Sequence, residues 1–357
     1  MKENHGGGVT AIIPARNEEA NIARVVRSVA AQEGIREILV VDDQSQDRTG
    51  EILEGLKAEI PRLRTIRIEG LPEGWTGKSH AVATAARMAS GDWLLLTDAD
   101  TEHQPGSLAV LLERARSEGA DLLSLSPGQR TPTWWEKAVI PLVYVHLARL
   151  YRFEEVSDPR SPAAAANGQY ILIRREAYER AGGHEAVRGE ILEDVALARR
   201  VKAAGGRLIF LPGAAWVQTR MYLSFSEMRR GWTKNLYLLY GMSVKKMLRT
   251  LAELWVLDLL PTLAFLGLCA LLALGRGGMG TTLAALGLFS IAILRQWTYS
   301  QALSRIGFDP RLGNFQVLGA ALFGMLLLNS ARAYRLDRKV QWKGREYSTQ
   351  GTTKGTR

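Results

Sequence analysis

Short apolar runs alternate with amphipathic stretches along roughly the first 210 residues of the chain. Each run is long enough for one strand, and the stretches at 19–32 and 48–59 repeat apolar residues at helical spacing. This alternation predicts an α/β domain with a largely parallel sheet, in which ligands bind at the carboxyl ends of the strands. The predicted strands are Val9–Pro14, Glu37–Asp42, Arg64–Ile68, Trp93–Thr97, Asp121–Leu125, Gln169–Ile173 and Arg207–Leu211, and a later helix is predicted at Glu193–Ala204.

The chain becomes more apolar after the predicted domain, which we place at residues 1–240. Leu254–Leu274 is long and apolar enough to span a bilayer as a helix. Thr281–Leu294 and Phe315–Ser330 are shorter and contain glycine, so each is expected to be a tilted span, a re-entrant piece or a buried helix. The pattern predicts a membrane region at residues 241–334 with two or three transmembrane or re-entrant helices.

A basic segment at residues 335–357 follows the membrane region and is predicted to be a cytoplasmic tail. Three spans would place this tail outside, whereas its positive charge favours the inside. The sequence leaves the choice between two and three spans open.

The segment at 133–152 is apolar but too polar to span a bilayer comfortably. Trp134 and Trp135 stand at its start, and Pro141 interrupts it. An interfacial amphipathic helix with the tryptophans at the level of the lipid headgroups is one prediction, and a buried helix of the domain is the other.

Charge and cysteine content narrow the classes of function. The net charge is +10, and the basic residues cluster near the apolar C-terminal segments, which favours a protein at the cytoplasmic face of the plasma (inner) membrane over a nucleic-acid partner. Cys269 is the only cysteine and lies in an apolar run, so a disulfide framework and cysteine catalysis are excluded. The first eight residues lack the regions of a signal peptide, so we expect the first domain to stay in the cytoplasm.

Two carboxylates follow the predicted strand at Trp93–Thr97. Asp98 and Asp100 are two positions apart, so their side chains can lie on one side of an extended loop. Hard oxygen ligands of this kind suit Mg²⁺ or Mn²⁺ bridging a diphosphate. We therefore predict a metal site at Asp100 with Asp98 beside it.

Polar residues also follow the first two strands. Pro14, Ala15, Arg16 and Glu18 lead into a helix, and Asp42 and Asp43 end the second strand. Carboxylates in these positions can accept hydrogen bonds from a base and from sugar hydroxyls. An ordinary helix start or turn remains the alternative for each loop.

Lys78 begins a helix after the turn-rich stretch at 71–77, where its ammonium can meet a phosphate. The glycine spacing does not match a full Walker A motif, so an ATPase is not predicted.

Two later motifs complete the candidate site. Glu193 and Asp194 begin the predicted helix, and Asp194 is our choice for a base that takes a proton from an acceptor hydroxyl. Two cations and an aromatic ring lie close together in sequence at Arg229, Arg230 and Trp232. This combination suits neutralisation of a diphosphate and packing against an acceptor, or alternatively a juxtamembrane anchor. The histidines show no metal-ligand spacing and stay unassigned.

These motifs in this order resemble the family 2 glycosyltransferases: IIPARNEE, VVDDQSQD, GWTGK, TDAD, GGHEAVRGEILED and MRRGW. The resemblance implies a GT-A (Rossmann-like) nucleotide-diphospho-sugar transferase domain that inverts the anomeric centre. It implies donor binding around Pro14, Glu18, Asp42 and Asp43, a metal at Asp100 and a catalytic base at Asp194.

A narrower similarity points to bacterial membrane glycosyltransferases of hopanoid or carotenoid pathways, carried by LPEGWTGK, TWWEKAVIP, DPRSPAAAANGQYILIRRE and VQWKGREY. The MRRGW motif lacks the glutamine of the Gln-x-x-Arg-Trp motif found in processive synthases, which makes a polysaccharide channel improbable. The sequence thus predicts one sugar transfer from a nucleotide-sugar to a lipid-like acceptor. The alternatives are a polyprenyl-phosphate sugar synthase and a non-catalytic membrane protein that binds nucleotide-sugars.

Overall fold

A computed structural model describes residues 8–349 of the chain. Predictions for the first seven residues and for the tail beyond residue 349 lie outside the described residues. The strands are β1 (Val9–Ala15), β2 (Ile35–Asp42), β3 (Leu63–Arg67), β4 (Trp93–Leu96), β5 (Thr101–His103), β6 (Leu122–Ser126), β7 (Gly128–Gln129), β8 (Ile171–Arg174), β9 (Leu208–Pro212), β10 (Val217–Thr219), β11 (Lys339–Trp342) and β12 (Arg345–Ser348).

Thirteen α-helices accompany these strands within residues 8–349. They are α1 (Ile22–Ala30), α2 (Thr49–Glu59), α3 (Gly77–Met88), α4 (Ser107–Ser117), α5 (Trp134–Leu150), α6 (Phe153–Ser157), α7 (Arg175–Arg180), α8 (Glu193–Ala203), α9 (Phe225–Leu239), α10 (Val244–Glu253), α11 (Leu260–Ala273), α12 (Met279–Arg305) and α13 (Gln316–Arg332).

The chain forms two compact units. The first runs to Arg130 and resumes at Tyr151–Met221, whereas the second comprises Thr131–Leu150 and the chain from Tyr222 onward. Helices α5 and α9 therefore belong to the same unit as the C-terminal helices, because both pack on α13. The predicted domain boundary at residue 240 lies inside the second unit.

The first unit contains a seven-stranded sheet in the order β3-β2-β1-β4-β8-β6-β9. All of the strands predicted from the sequence are present. The pairs are parallel except for β8, which runs antiparallel to both β4 and β6. Alternate residues of β1 enter the two hydrophobic cores on the two faces of the sheet, Ile13 on one side and Ile12 on the other. The fold is a GT-A-like α/β fold.

A second sheet of the first unit was not predicted. It has the order β5-β10-β7 and consists of strands of two or three residues. Strand β5 follows Asp100 directly, so this sheet supports the loop that carries the two predicted metal-binding carboxylates.

Among the described residues of the second unit, three helices are long and apolar enough to cross a membrane: Val244–Ala273, Met279–Arg305 and Pro310–Asp337. The first contains a π-helical turn at Leu254–Leu259 between α10 and α11. Helix α5 is largely buried in this unit, with Trp135 packed edge-on against Phe225 and Trp134 exposed. An interfacial position for this helix stays a prediction. Strands β11 and β12 form a hairpin within the predicted basic tail.

Candidate functional site

The first two predicted loops are bound to each other at the carboxyl ends of β1 and β2. An Nη of Arg16 donates to the carbonyl of Asp43 at 2.6 Å, and the Asp43 N–H donates to the carbonyl of Ala15 at 2.8 Å. The N–H of Asn17, which has a φ of 54°, donates to the Ser45 hydroxyl at 2.9 Å. The two loops therefore form one hydrogen-bonded rim at this edge of the sheet.

The carboxylates of this rim are fixed by backbone and side-chain donors. Asp42 and Asp43 are buried, and Asp42 Oδ1 accepts from the Ser45 N–H at 2.9 Å. Glu18 accepts from the side-chain amide of Asn21 at 3.0 Å. The structure thus brings Pro14, Ala15, Arg16, Glu18, Asp42 and Asp43 together, and their role in binding a donor stays a prediction.

The loop after β4 carries Asp98 and Asp100 and is held through its backbone by threonine hydroxyls. Thr101 donates to the carbonyl of Asp98 at 2.8 Å, and Thr219 of β10 donates to the carbonyl of Asp100 at 3.2 Å. Thr97 donates to the carbonyl of Gln169 at 2.8 Å. Backbone acceptors satisfy these hydroxyls, so the threonines fix the loop through its main chain.

His103 lies beneath the same loop, where its Nε2 is 3.0 Å from the Thr97 hydroxyl. Burial lowers the pKa of His103 to about 4, so the ring is neutral at pH 7. His184 is also buried and contacts the Tyr178 hydroxyl through Nδ1 at 3.1 Å, and burial lowers its pKa to about 4 as well. Both histidines support the site structurally.

Lys78 joins two predicted parts of the site that are far apart in sequence. Its Nζ lies 2.7 Å from Asp98 Oδ1 and 2.8 Å from Glu193 Oε1. Burial would lower the pKa of Lys78, but Asp98, Glu193 and Asp194 outweigh burial and raise it well above the usual value. The ammonium therefore stays charged and offsets part of the negative charge of a cluster of three carboxylates.

Asp194 lies in the first turn of α8, next to this cluster. Its Oδ2 accepts from the Gly168 N–H at 2.8 Å, and its Oδ1 accepts from the Val195 N–H at 2.8 Å. Burial and then the charge of Glu193 raise the pKa of Asp194 to about 6, while Lys78 opposes the shift. A carboxylate with this pKa is ionised at pH 7 and is more basic than an ordinary aspartate, as a proton acceptor requires.

Gly168 was not singled out from the sequence, yet it lies at the centre of the cluster. A Cβ built on it would collide with Lys78 Nζ and come within 3.5 Å of carboxylate oxygens of Asp194 and Glu193. Glycine is therefore the residue that allows the 167–169 loop to approach both α3 and α8. The neighbouring carbonyl of Gln169 accepts from Thr97, which links this loop to the Asp98 loop.

The last three predicted residues lie on α9 in the second unit. Arg229 and Arg230 are exposed, with an Nη of Arg230 donating to the Ser226 hydroxyl at 2.9 Å. Trp232 is buried and packs edge-on against Tyr222. The hypothesis that these residues contact a donor or an acceptor stays a prediction.

The donor set of the Asp98 loop is compatible with a divalent cation. Within residues 8–349, no three His, Cys, Asp or Glu side chains are grouped so that they could hold a metal ion. Mg²⁺ commonly binds through one or two carboxylates and completes its shell with water and phosphate oxygens. Asp98 and Asp100 supply such a pair, so their chemistry fits an ion that arrives with a diphosphate.

Comparison with known proteins identifies the family. The model described as "Glycosyl transferase family 2" matches residues 10–182, which include Asp98, Asp100, Lys78 and Gly168. This chain carries a family 2 glycosyltransferase domain. The resemblance drawn from the sequence motifs is thereby confirmed, and the chain is a transferase.

Two relatives of the glycosyltransferase extend the similarity over most of its length. The 4,4'-diaponeurosporenoate glycosyltransferase of Staphylococcus haemolyticus is 26% identical over 95% of this chain and 88% of the relative. The enzyme of the same name from Staphylococcus aureus is 27% identical over the same shares. A solved mannosyltransferase from Pyrobaculum calidifontis, in complex with GDP-Man and Mn²⁺, superposes with a TM-score of 0.54 at 20% identity, covering 90% of this chain and 88% of that one.

Replacing Gly168 with alanine is expected to lower the kcat of this glycosyltransferase by about 10²-fold. The new methyl group displaces the Lys78 ammonium and disturbs the hydrogen bond to Asp194, and small displacements of reacting groups have effects of this size. Release of nucleotide from a sugar donor measures the change.

Gly55→Ala is the matched control, because Gly55 is an exposed helical glycine whose Cβ would meet nothing within 4 Å. It should keep full activity and raise stability by up to ~1 kcal/mol. Equal activities of the two variants would show that the close approach at Gly168 is unimportant.

Proposed function

We propose that this glycosyltransferase transfers a sugar from a nucleotide-sugar to a lipid-like acceptor at a membrane, with inversion at the anomeric carbon. The observation that carries the proposal is the convergence of Lys78, Asp98, Glu193 and Asp194 within the family 2 domain and the adjoining α8. A diphosphate-binding group and a proton acceptor lie next to each other there, as direct displacement of a nucleotide requires.

The rim formed by the first two loops is proposed to bind the nucleoside of the donor. The carboxylates of Asp42 and Asp43 can accept hydrogen bonds from base N–H and ribose hydroxyl groups, and Glu18 lies in the adjoining loop, where its N–H donates to the Thr49 hydroxyl at 2.8 Å. Arg16 holds the Asp43 carbonyl and thereby sets the shape of this rim. The Pyrobaculum calidifontis mannosyltransferase was solved in complex with GDP-Man, a nucleotide-sugar, which supports a donor of this class.

Asp98 and Asp100 are proposed to hold Mg²⁺ or Mn²⁺ together with the donor diphosphate. When bound, such an ion supplies Lewis-acid stabilisation of the leaving diphosphate. The threonine hydroxyls that bind the backbone of this loop keep the two carboxylates in place. Lys78, which contacts Asp98, is positioned to add a second positive charge beside the diphosphate.

Asp194 is proposed to take the proton from the acceptor hydroxyl. The acceptor oxygen then forms a bond to the anomeric carbon while the bond from that carbon to the diphosphate oxygen breaks, and the nucleoside diphosphate leaves with the electron pair. The Gly168 and Val195 N–H groups orient the Asp194 carboxylate for this step. Glu193 contributes by raising the pKa of Asp194.

A membrane position is supported by the three apolar helices of the second unit and by the names of the relatives. We propose an inner-membrane protein with several crossings, whose catalytic domain faces the cytoplasm, where nucleotide-sugars are made. The positive charges that flank the apolar helices favour this orientation. The acceptor is proposed to reach the enzyme from the bilayer.

The decisive experiment is nucleotide release from a panel of UDP-, GDP- and dTDP-sugars by detergent-purified protein, with and without a bacterial lipid extract. The proposal expects one donor to be consumed and the lipid extract to stimulate its consumption. Lack of release from every donor, by protein that binds nucleotide-sugar, would instead favour a non-catalytic binding protein. Lipid stimulation that survives Asp194→Asn would favour a phosphate-bearing acceptor, such as a polyprenyl phosphate, which needs little base catalysis.

Removing divalent cations with EDTA is expected to abolish this release, and excess Mn²⁺ or Mg²⁺ is expected to restore it. The reason is that Asp98, Asp100 and the departing diphosphate are all negatively charged, so a divalent cation is needed to balance their charge. Titration of each metal into the chelated enzyme measures the effect. A variant with Asp100→Ala should stay inactive at every metal concentration, and equal turnover before and after chelation would contradict the role of the metal.

A further inference from the structure

The second unit contains a buried ionic cluster that divides its helices into two zones. Asp258, in the π-helical turn, has a fully buried carboxylate that accepts from Arg295 Nε at 2.7 Å and from the Gln316 side-chain amide at 2.6 Å. Arg295 also lies 3.4 Å from Glu253, which binds Arg149 at 2.6 Å. The cluster ties α5, α12 and α13 to the helix that contains Asp258.

Among the residues that the structure describes, the part of the unit beyond this cluster is the helical hairpin formed by α11 and α12. Between Asp258 and Arg295 the sequence contains a single charged residue, Arg276, in the turn between the two helices. Large apolar side chains on both helices are exposed: Leu260, Leu263, Leu266, Leu271, Leu274, Met279, Leu283, Leu286, Phe289, Ile291, Ile293 and Leu294. Such a surface requires an apolar surrounding.

The length of the hairpin matches one crossing of a bilayer by each helix. The helical stretches from Asp258 to Ala273 and from Met279 to Arg295 cover 15 and 16 positions, which corresponds to about 22–24 Å of helix each at about 1.5 Å per residue, and the turn with Arg276 extends beyond them. The hydrocarbon core of a bilayer is about 30 Å thick. With the ionic cluster at one headgroup region, Arg276 therefore reaches the other.

The third apolar helix does not run alongside this hairpin. Gln316, the first residue of α13, contacts Asp258, and a Cβ on Gly324 would meet Leu251 and Leu254. Near its other end, Ser330 accepts from the Tyr237 N–H at 2.9 Å and donates to the carbonyl of Thr233 at 2.7 Å. Helix α13 thus begins at the ionic cluster and runs toward α9, away from the tip of the hairpin.

The β11–β12 hairpin lies at the α9 end of this unit. Lys234 of α9 lies over the ring of Trp342 at 4.9 Å, and the Tyr334 hydroxyl donates to the Lys234 carbonyl at 2.7 Å. Many cations of the unit are in the segments at this end, which are the start of α10, the end of α13 with the turn after it, and the β11–β12 hairpin: Lys245, Lys246, Arg249, Arg332, Arg335, Arg338, Lys339, Lys343 and Arg345. By the positive-inside rule, a zone this basic belongs on the cytoplasmic side, opposite Arg276.

We propose that the α11–α12 hairpin alone crosses the bilayer, that its exposed apolar surface contacts lipid acyl chains, and that α13 does not cross. The β11–β12 hairpin then lies on the same side of the membrane as α9. The inference rests on the proposed membrane location and explains how a basic tail can follow three apolar helices without being exported. It replaces a count of three crossings, which length and composition alone suggest.

Single cysteines introduced into full-length Cys269→Ser protein test this topology. Ser226→Cys marks α9, Gly278→Cys marks the tip of the hairpin, and Gln341→Cys marks β11. All three positions are accessible: Ser226 and Gln341 are exposed, and a Cβ on Gly278 meets nothing within 4 Å. A membrane-impermeant maleimide is applied to intact spheroplasts and to inverted membrane vesicles. Gly278→Cys should react only in spheroplasts, and Ser226→Cys and Gln341→Cys only in inverted vesicles.

Each other outcome overturns a defined part of the proposal. Reaction of Gln341→Cys from the same side as Gly278→Cys would establish a third crossing, and reaction of all three from one side would show that the hairpin does not cross. Reaction of Gly278→Cys only in inverted vesicles, with the other two variants reacting only in spheroplasts, would keep the two crossings. It would contradict the proposal that the catalytic domain faces the cytoplasm. Recovery of the protein in the soluble fraction would overturn the membrane location itself. Gly280→Cys and Glu346→Cys serve as second markers if a first variant loses nucleotide release.

Discussion

Replacing Asp194 with asparagine is expected to lower kcat by roughly 10²–10⁴-fold while leaving the fold intact. The amide keeps the shape of the side chain and can still accept from the Gly168 N–H, but it cannot take a proton from an acceptor. In the unchanged enzyme, kcat/KM should rise with pH through about 6, the raised pKa of Asp194, and reach a plateau above pH 7. Steady-state rates between pH 5 and pH 9 measure both effects.

The same substitution is expected to stabilise the protein, which separates loss of chemistry from loss of folding. The pKa of Asp194 is about 6 in the folded state and near 3.8 in the unfolded chain, so between these pH values the folded state binds more protons. Stability therefore falls as pH rises through this range. Asp194→Asn should be more stable than the unchanged enzyme at pH 8, by about 1–3 kcal/mol, and equally stable near pH 4. Thermal melting at the two pH values measures the difference, and a lower melting point of the variant at pH 8 would contradict the raised pKa.

Most strands and helices of the first unit could be predicted because their signals are local. A buried run such as Val9–Pro14 is short, apolar and followed by polar loop residues, and it forms β1 as expected. The antiparallel direction of β8 could not be predicted, because a buried strand has the same composition in either direction. The strands of the β5-β10-β7 sheet are too short to show periodicity.

The candidate site could be predicted residue by residue, but its connections could not. The carboxylates at 42–43 and 98–100 were found because they follow strands, whose ends meet at one edge of the sheet. Nothing in the sequence shows that Lys78 contacts Glu193, which lies 115 positions away. Gly168 gave no signal either, since only the packed structure shows which glycine a side chain would obstruct.

The number of membrane crossings could not be predicted from the sequence either. Hydropathy recognises that a helix is apolar, but an apolar helix packed on protein has the same composition as one packed on lipid. The difference lies in burial: 39% of the apolar window in Pro310–Asp337 is buried, against 6% in α12. The orientation of α13 depends on single contacts such as that between Gln316 and Asp258.

Replacing Lys78 with methionine is expected to lower kcat/KM by roughly 10²–10³-fold, the effect of removing one preorganised charge partner from an active site. The side chain keeps its apolar stem and loses the ammonium that lies between Asp98 and Glu193. Since Lys78 lowers the pKa of Asp194, its removal should also shift the rise of kcat/KM to a pH above 6. Rates measured against donor concentration and pH determine both changes.

Lys57→Met is the matched control, because it removes a lysine that pairs with Glu54 on the exposed surface of α2. Exposed pairs contribute about 0–1 kcal/mol, so its activity and pH profile should be unchanged. Lys78→Arg tests whether charge alone is enough: an arginine fork is larger and planar, and Gly168 leaves little space there. If Lys78→Arg keeps partial activity and an unshifted pH profile, the positive charge sets the pKa of Asp194 and the shape of the lysine side chain accounts for the lost activity. Full activity of Lys78→Met would instead mean that the Asp98–Lys78–Glu193 contacts only stabilise the fold, and diphosphate neutralisation would then have to come from elsewhere in the enzyme.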